Sequence, residues 1–290
     1  MRYRLLRSAR TLHEYVALYF GVACLGLLCI VWTPFAILLP ALLPARFART
    51  VGQWGITLGF RAYVWILALI GAFRFDLRAL DALRGQPPMI IAPNHPGLID
   101  AVLVISRLPV NCIMKAALER NFFLGAGARL AGYIGNDSVH RMIQRSVRSL
   151  RQGDHLLIFP EGTRTTRAPV NAFTGSIGII ARRAGVPIQT VIIDTDSPYL
   201  SKGWSLLRRP KLPITCRVRL GQRFDPPQSA REFVADLERY FAAELARGSM
   251  MRSWLPGSSA AVAAHHPVSS FDHDGEPEPL PHPPCPHSQL

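Results

Sequence analysis

Two short polar blocks hold the residue types from which a reactive site could be built. The first is Asn94-His95-Pro96-Gly97-Leu98-Ile99-Asp100, directly after the apolar run 89–93. A carboxylate that accepts from one imidazole nitrogen fixes the tautomer and leaves the other nitrogen free as a base. Asp100, one turn into a following helix, can curl back to His95 in that role, and a simple loop cap would use the same two residues. The second block is Phe159-Pro160-Glu161-Gly162-Thr163-Arg164, which closes the apolar run 155–159. It offers a carboxylate, backbone N–H groups near Gly162 and a guanidinium. Arginine pairs bidentately with phosphate or carboxylate, and turn amides cradle an anion or an oxyanion. A turn held by a Glu161–Arg164 ion pair would read the same way.

These blocks need a scaffold that points them at one place. Short apolar runs predict strands at 89–93, 111–114, 133–135, 155–159, 188–193 and 214–220. Helical patterns lie between them, at 98–106, 117–130, 138–151 and 173–184, with a last helix over 229–247. Such alternation predicts an α/β domain over residues 86–250, with a largely parallel, mixed sheet flanked by helices on both faces. Ligands in open sheets of this kind bind beyond the C-terminal ends of strands, where both blocks sit. No Gly-x-Ser-x-Gly elbow is present, and Cys112 falls within a predicted strand, where a buried structural thiol is expected. No His, Asp or Glu cluster has metal-ligand spacing, so no metal is expected.

The flanks differ from this middle. Residues 1–85 read as a membrane-associated helical segment. Arg2, Arg4, Arg7 and Arg10 precede an uncharged stretch from Tyr15 to Ala45. As one helix it would run about 46 Å against the roughly 30 Å of a hydrocarbon core. Pro34 and Pro40 are expected to break or kink it, so a tilted span and a membrane-embedded hairpin both fit. The run is too long for a signal peptide and lacks a clear cleavage site. The preceding arginines favour a cytoplasmic N-terminus. A hairpin would keep the main domain on that side. A second apolar segment, 62–73, is too short to span and predicts an interfacial or a buried helix, with Tyr63 and Trp65 as headgroup-level rings. Residues 251–290 read as a disordered tail: from 256 onward there are eight Pro, five His and four acids with no basic residue.

The formal charge of +14 comes with a mean hydropathy of +0.17. That pairing excludes a wholly disordered chain and favours an anionic bilayer over nucleic acid, for which no familiar motif is present. Since the tail is acidic, the basic excess belongs to the membrane-proximal and central parts. Only Lys115, Lys202 and Lys211 are lysines, and the remaining cations are arginines suited to phosphate. Over 138–151, Arg141, Arg145, Arg148 and Arg151 share one side of a helix, which fits either a solvated face or a lipid-facing one.

Two further blocks complete a pattern: Gly132-Tyr133-Ile134, and Val186-Pro187-Ile188-Gln189 entering a strand. In this order and spacing, residues 86–225 resemble the glycerolipid acyltransferases of the lysophosphatidate acyltransferase family, whose marks are NHxxxxD, a Gly-x-x-hydrophobic block, FPEGTR and a Val-Pro-Ile strand. The resemblance implies the acyltransferase fold, with His95 as general base and Asp100 as its orienting partner. It implies that Asn94, Glu161, Gly162, Thr163 and Arg164 bind substrate, chiefly a phosphorylated acyl acceptor, and that Pro187 shapes the same cleft. The implied reaction is direct acyl transfer from acyl-CoA or acyl carrier protein to a lysolipid hydroxyl, most simply 1-acylglycerol-3-phosphate, in phospholipid biosynthesis at the cytoplasmic side of a membrane. Those thioesters are co-substrates, and no cofactor is implied.

The chain departs from the family pattern at two places. Ser138 stands where the second block often carries Arg, and Thr174 stands in a stretch that often carries Lys. Arg141, Arg145 or Arg167 could substitute, or the acceptor could be a different lysolipid. A basic membrane-binding protein without turnover and a His-dependent hydrolase are the competing readings.

Overall fold

The computed structural model describes residues 2–205 and 207–255. Seven strands form one sheet in the order β1 (Phe73–Asp76), β7 (Ile214–Phe224), β6 (Ile188–Thr195), β2 (Ile90–Pro93), β5 (Leu156–Leu157), β3 (Asn111–Met114) and β4 (Ile134–Gly135). Every neighbouring pair is parallel except β6 and β7. The mixed, mostly parallel sheet is therefore as expected. Side chains alternate across it with the two-residue period of a strand. Ile91, Leu157 and Ile193 pack on one face with α3 (Asp100–Ile105) and the N-terminal helices. Ile90, Leu156 and Ile192 pack on the other with α6 (Val139–Arg151), α7 (Ser176–Ala184) and α8 (Ala230–Ala246).

Ahead of the sheet lie two long helices, α1 (Arg2–Leu42) and α2 (Ala45–Leu69). Contrary to expectation, α1 runs unbroken through Pro34 and Pro40. Beside the first of these, the Thr33 hydroxyl donates to the Cys29 carbonyl at 2.7 Å. The chain turns at Pro44, whose extended backbone (φ −55°, ψ 140°) cannot continue a helix and opens the next one. The two helices form a hairpin, and α2 lies close to both neighbours at glycines. A Cβ on Gly55 would meet the Trp32 ring at 2.1 Å, and one on Gly52 would meet the Leu130 and Ala131 backbone at 2.9 Å.

The hairpin is fastened to the sheet domain at both ends. The buried Glu14 carboxylate accepts from Arg209 Nη1 at 2.8 Å and from the Leu212 N–H at 3.4 Å. Nineteen residues on, Thr33 Oγ1 also donates to the Phe123 carbonyl at 3.2 Å. The outer face keeps Tyr15, Tyr19, Phe20, Leu27, Val31, Phe35 and Leu38 exposed. Residues 8–42 are long and apolar enough to cross a membrane, with mean hydropathy 2.5 in the most apolar window.

Four further expectations are corrected. The segment 62–73 is not a separate short helix. It is the second half of α2, with Tyr63 and Leu67 buried and Trp65 exposed, followed by strand β1. Tyr63 thus packs in the core rather than at headgroup level. Because β1 pairs with β7, the sheet begins at Phe73, upstream of the boundary expected at 86. The helix expected over 117–130 is two, α4 (Ala116–Glu119) and α5 (Phe122–Ala131), because the Asn121 side chain accepts from the N–H groups of Phe123 and Leu124 and caps a new helix. At the C-terminal side, residues 250–255 still pack on the domain: Leu255 is buried and Trp254 Nε1 donates to the Thr195 carbonyl. The rest of the expected tail, 256–290, lies outside the described residues.

Candidate active site

The site is built at the C-terminal end of β2. Just past that strand, the fully buried Asn94 makes two hydrogen bonds to one residue of β6. Its Nδ2 donates to the Ile193 carbonyl at 2.8 Å, and its Oδ1 accepts from the Ile193 N–H at 2.7 Å. The side chain thus imitates one more rung of the ladder, and it fixes where the following loop leaves the sheet.

His95 is the next residue, held from four directions. Its N–H donates to Glu161 Oε1 at 3.0 Å, and its carbonyl accepts from the Thr165 N–H at 2.7 Å. The imidazole stacks on Phe159, with centroids 3.9 Å apart and planes 24° from parallel. Nδ1 lies 2.8 Å from Asp100 Oδ2, which also accepts from the Gly97 N–H at 2.7 Å. Burial pushes the Asp100 carboxyl above the ordinary carboxylate value. Hydrogen bonds and charge from His95, then the Gly97 N–H and the Arg164 charge, oppose that shift. With Asp100 ionised, the imidazole carries its proton on Nδ1 and keeps a lone pair on Nε2. The His95 side chain is 17% exposed, enough for a substrate atom to reach that nitrogen.

Glu161 does not face the cleft as a ligand. Oε1 accepts from the His95 N–H and from Thr165 Oγ1 at 2.7 Å, and Oε2 accepts from the Asn171 N–H at 2.9 Å. Burial raises its pKa, and these same partners, Asn171 first, counter it. The carboxylate ties the loops after β2 and β5 together. Arg164 is similarly engaged: Nη1 donates to the carbonyls of Leu200 at 2.8 Å and Ser201 at 2.9 Å, strapping the β6–β7 connection over the site. No Glu161–Arg164 ion pair forms. Gly162 adopts φ +64°, and its N–H closes a turn on the Phe159 carbonyl at 3.0 Å. The N–H groups of Thr163 and Arg164 and the Thr163 hydroxyl have no partner among the described residues.

Pro187 is not part of this cluster. It precedes β6, and its carbonyl accepts from the Ile90 N–H at the start of β2. Six residues of strand separate it from Ile193, so it lies about 20 Å from His95, at the opposite end of the sheet. The two residues that depart from the family pattern have local work. Ser138 caps α6 by accepting from the Arg141 N–H, and Thr174 donates both N–H and hydroxyl to the Pro160 carbonyl. Arg141 pairs with Asp137.

Several supporting residues had no signal in the sequence. Thr165 and Asn171 occupy Glu161, and Tyr199 and Leu200 come from a loop forty residues further on. Phe159 was quoted within its block, but its stacking role was not foreseen. An apolar cavity of about 170 Å³ lies between α1 and this loop, lined by Leu18, Gly21, Leu98, Ile99, Tyr199 and Leu200 among others. Burial pushes the Cys112 thiol up to about 12, the behaviour of a structural cysteine. Among the described residues, no group of three or more His, Cys, Asp or Glu is placed to hold a metal ion.

Residues 74–194 match the model of the family described as Acyltransferase. The chain is 30% identical over 208 residues to the lyso-ornithine lipid O-acyltransferase of Pseudomonas aeruginosa, covering 68% of this chain and 73% of that protein. It is 22% identical over 217 residues to the 1-acyl-sn-glycerol-3-phosphate acyltransferase of the same organism, covering 72% and 80%. Among solved structures, the 1-acyl-sn-glycerophosphate acyltransferase of Thermotoga maritima superposes with a TM-score of 0.64 at 18% identity, over 82% of this chain and 96% of that one. This last likeness is one of fold.

Proposed function

The chain belongs to the glycerolipid acyltransferase family, and from that membership we propose that it moves a fatty acyl group from an acyl thioester to a lysolipid hydroxyl, with His95 as general base. The observation that carries this is the 2.8 Å contact between His95 Nδ1 and Asp100 Oδ2, which leaves Nε2 as the free nitrogen of a stacked, immobilised ring.

The acceptor hydroxyl attacks the thioester carbonyl while His95 Nε2 takes its proton. Asp100 stabilises the imidazolium so formed. The N–H groups of Thr163 and Arg164 and the Thr163 hydroxyl are the unpartnered donors beside His95 that can receive the tetrahedral oxyanion. As the intermediate collapses, the C–S bond breaks and the thiolate takes the proton back from His95. The products are the ester and the free thiol of CoA or of acyl carrier protein. No covalent enzyme intermediate and no cofactor are required. The apolar cavity beside Leu98 and Leu200 suits one of the two acyl chains that meet here.

The first acceptor to test is 1-acylglycerol-3-phosphate. A specific observation favours a second reading, a lyso-ornithine lipid. Ser138 and Thr174 are committed to caps and turns, and Arg164 to carbonyls, so the site offers few cations for a phosphate monoester. The relative at 30% identity bears that lipid's name. The N-terminal hairpin supports a membrane location. Because α1 contacts the sheet domain near both Glu14 and Thr33, a full crossing would draw that domain into the bilayer. We therefore place the hairpin within one leaflet, with the catalytic domain on the cytoplasmic side where acyl thioesters are made.

The test is thioester consumption with each lysolipid, in wild type and in His95→Ala. Loss of the base lowers turnover by about 10²–10⁴-fold. Full turnover in the variant refutes the assignment, and the ratio of the two acceptors in wild type decides between them.

A further inference from the structure

The opposite end of the sheet holds a second cavity, of about 260 Å³, that the reaction does not use. It lies where β3, β4 and β5 begin, between α2, α5 and α6, and its lining includes Arg49, Arg129, Arg145 and Arg148. We propose that this cavity binds a phosphate group, such as that of an anionic phospholipid headgroup, at a site distinct from the acyl-transfer centre.

Charge carries the inference first. The four guanidiniums face one lining acid, Glu119, plus Asp154, which is already paired with Arg49. The side chains of Arg145 and Arg148 have no hydrogen bond or ion pair among the described residues. Arginines near helix C-termini are ordinarily favourable through the helix dipole. Arg129 is likewise engaged, donating at 2.8 Å to the Glu119 carbonyl that ends the short α4. Arg145, six residues before the end of α6, touches no terminal carbonyl, so the dipole does not account for it. Four guanidiniums against two carboxylates leave an excess of like charge that repels, and a bound anion lowers that cost.

Construction carries it second. Arg49 forms a fixed wall: Nη1 donates to Gln152 Oε1 at 2.9 Å, and Nη2 to Ser149 Oγ at 2.9 Å and to Asp154. Its Nε–H is buried without a partner. The guanidinium fits only because residue 132 is glycine. A Cβ there would lie 2.7 Å from Arg49 Nε, and the backbone at φ +76° disfavours any other residue. The glycine of the Gly132-Tyr133-Ile134 block therefore serves this pocket, far from His95.

Position carries it third. The helices that rim the cavity also expose Phe47, Trp54, Phe122 and Phe123, the type of surface that enters a bilayer interface. The membrane reading enters only as the source of the phosphate, since the pocket itself stands without it.

The test uses the full chain in detergent and compares two pairs on α6. One is Arg145→Gln with Arg148→Gln. The control is Arg141→Gln with Arg151→Gln, which removes equal charge outside the cavity. Binding to phosphatidylcholine vesicles with and without phosphatidylglycerol is measured, together with thermal stabilisation by inorganic phosphate against chloride at equal ionic strength. The pocket pair is expected to lose anionic-vesicle binding by roughly 10- to 30-fold, about fivefold per arginine, and to lose the phosphate stabilisation. The control pair keeps most of both. Loss of phosphate stabilisation with unchanged vesicle binding retains the site and names free phosphate as its ligand. Equal losses in the two pairs, or no response of wild type to phosphate or anionic vesicles, overturn the proposal. Because the two arginines are exposed and unpartnered, folding is preserved, and the single variants serve as a check. Turnover with lysolipid, read separately, keeps a failure of this site distinct from a failure of the acyl-transfer reading.

Discussion

At the C-terminal end of β2, the polar groups answer one another: buried Asn94 is closed on Ile193, buried Glu161 on three donors, and half-buried Arg164 on two carbonyls. At the N-terminal ends of β3 and β5, two arginines stand open beside a cavity and a buried Nε–H has no acceptor. The contrast separates two kinds of polar cluster. A reacting centre needs atoms held still, so most of its polar residues are internally satisfied and only a few, here His95 Nε2 and the Thr163 donors, are left for substrate. A site that takes a preformed anion needs no such rigidity and can keep its charges unpaired until the anion arrives. Side-chain type alone does not tell the two apart, since Arg164 and Arg145 are the same residue with opposite states of occupation.

Substitutions at the catalytic end test whether its residues act by touching substrate or by holding one another. Asp100→Asn has the largest expected effect after loss of His95 itself. Because Asp100 Oδ2 accepts from both His95 Nδ1–H and the Gly97 N–H, asparagine keeps its amide oxygen there. The tautomer survives but the negative charge that stabilises the imidazolium is gone, so turnover falls by about 10²-fold with acceptor KM little changed. The acid side of the pH profile sharpens this. Burial raises the Asp100 pKa, so as pH falls the carboxylate is neutralised earlier than an exposed one, and wild-type activity is lost correspondingly early. The variant lacks the carboxylate's share of that limb. An unchanged limb in Asp100→Asn would break the assignment.

Glu161→Ala comes next. It strands the His95 N–H, the Thr165 hydroxyl and the Asn171 N–H, and is expected to destabilise the fold by about 2–5 kcal/mol while lowering turnover. Glu161→Gln keeps the Oε1 acceptor and sets an N–H against the Asn171 N–H alone, for a smaller loss of about 1–2 kcal/mol. Thermal unfolding measures both. If instead stability held and only the acceptor KM rose, Glu161 would be a substrate ligand, as the family resemblance implies.

The limits of the sequence follow the same division. His95 and Asp100 were legible because a five-residue offset on a strand–loop–helix unit is a local geometry. The alternation of strands and helices was legible for the same reason. Glu161 was read for substrate alone, and its bonds to Thr165 and Asn171 were not legible, since these reach it through a loop of irregular structure that has no periodicity to read. Strand β1 was hidden because 62–73 is a continuous apolar run, and only the pairing of Phe73 with Ile214, far along the chain, makes its end a strand. Pro34 and Pro40 misled in the other direction. Each proline removes a helical hydrogen bond, and the packing of α1 on α2 and α5 offsets that cost. The Arg49 pocket was legible only in pieces, Gly132 within a motif block and Arg145 and Arg148 on one helix side, because its walls come from three helices that no motif joins.

Pro187 provides the smallest expected effect and the cleanest discrimination. The resemblance puts it in the cleft, but strand register puts it at the far end of β6, level with the start of β2. Its carbonyl carries the hydrogen bond from Ile90, and alanine keeps that carbonyl. Pro187→Ala should therefore leave turnover and KM within about twofold and cost no more than about 1 kcal/mol, mainly through greater freedom of the unfolded chain. A tenfold rise in acceptor KM would show that the two ends of the sheet communicate. A loss confined to stability would mean that proline before β6 serves to fix the entry of a central strand. In that case the motif as a whole mixes residues that meet substrate with residues that only set the register beneath them.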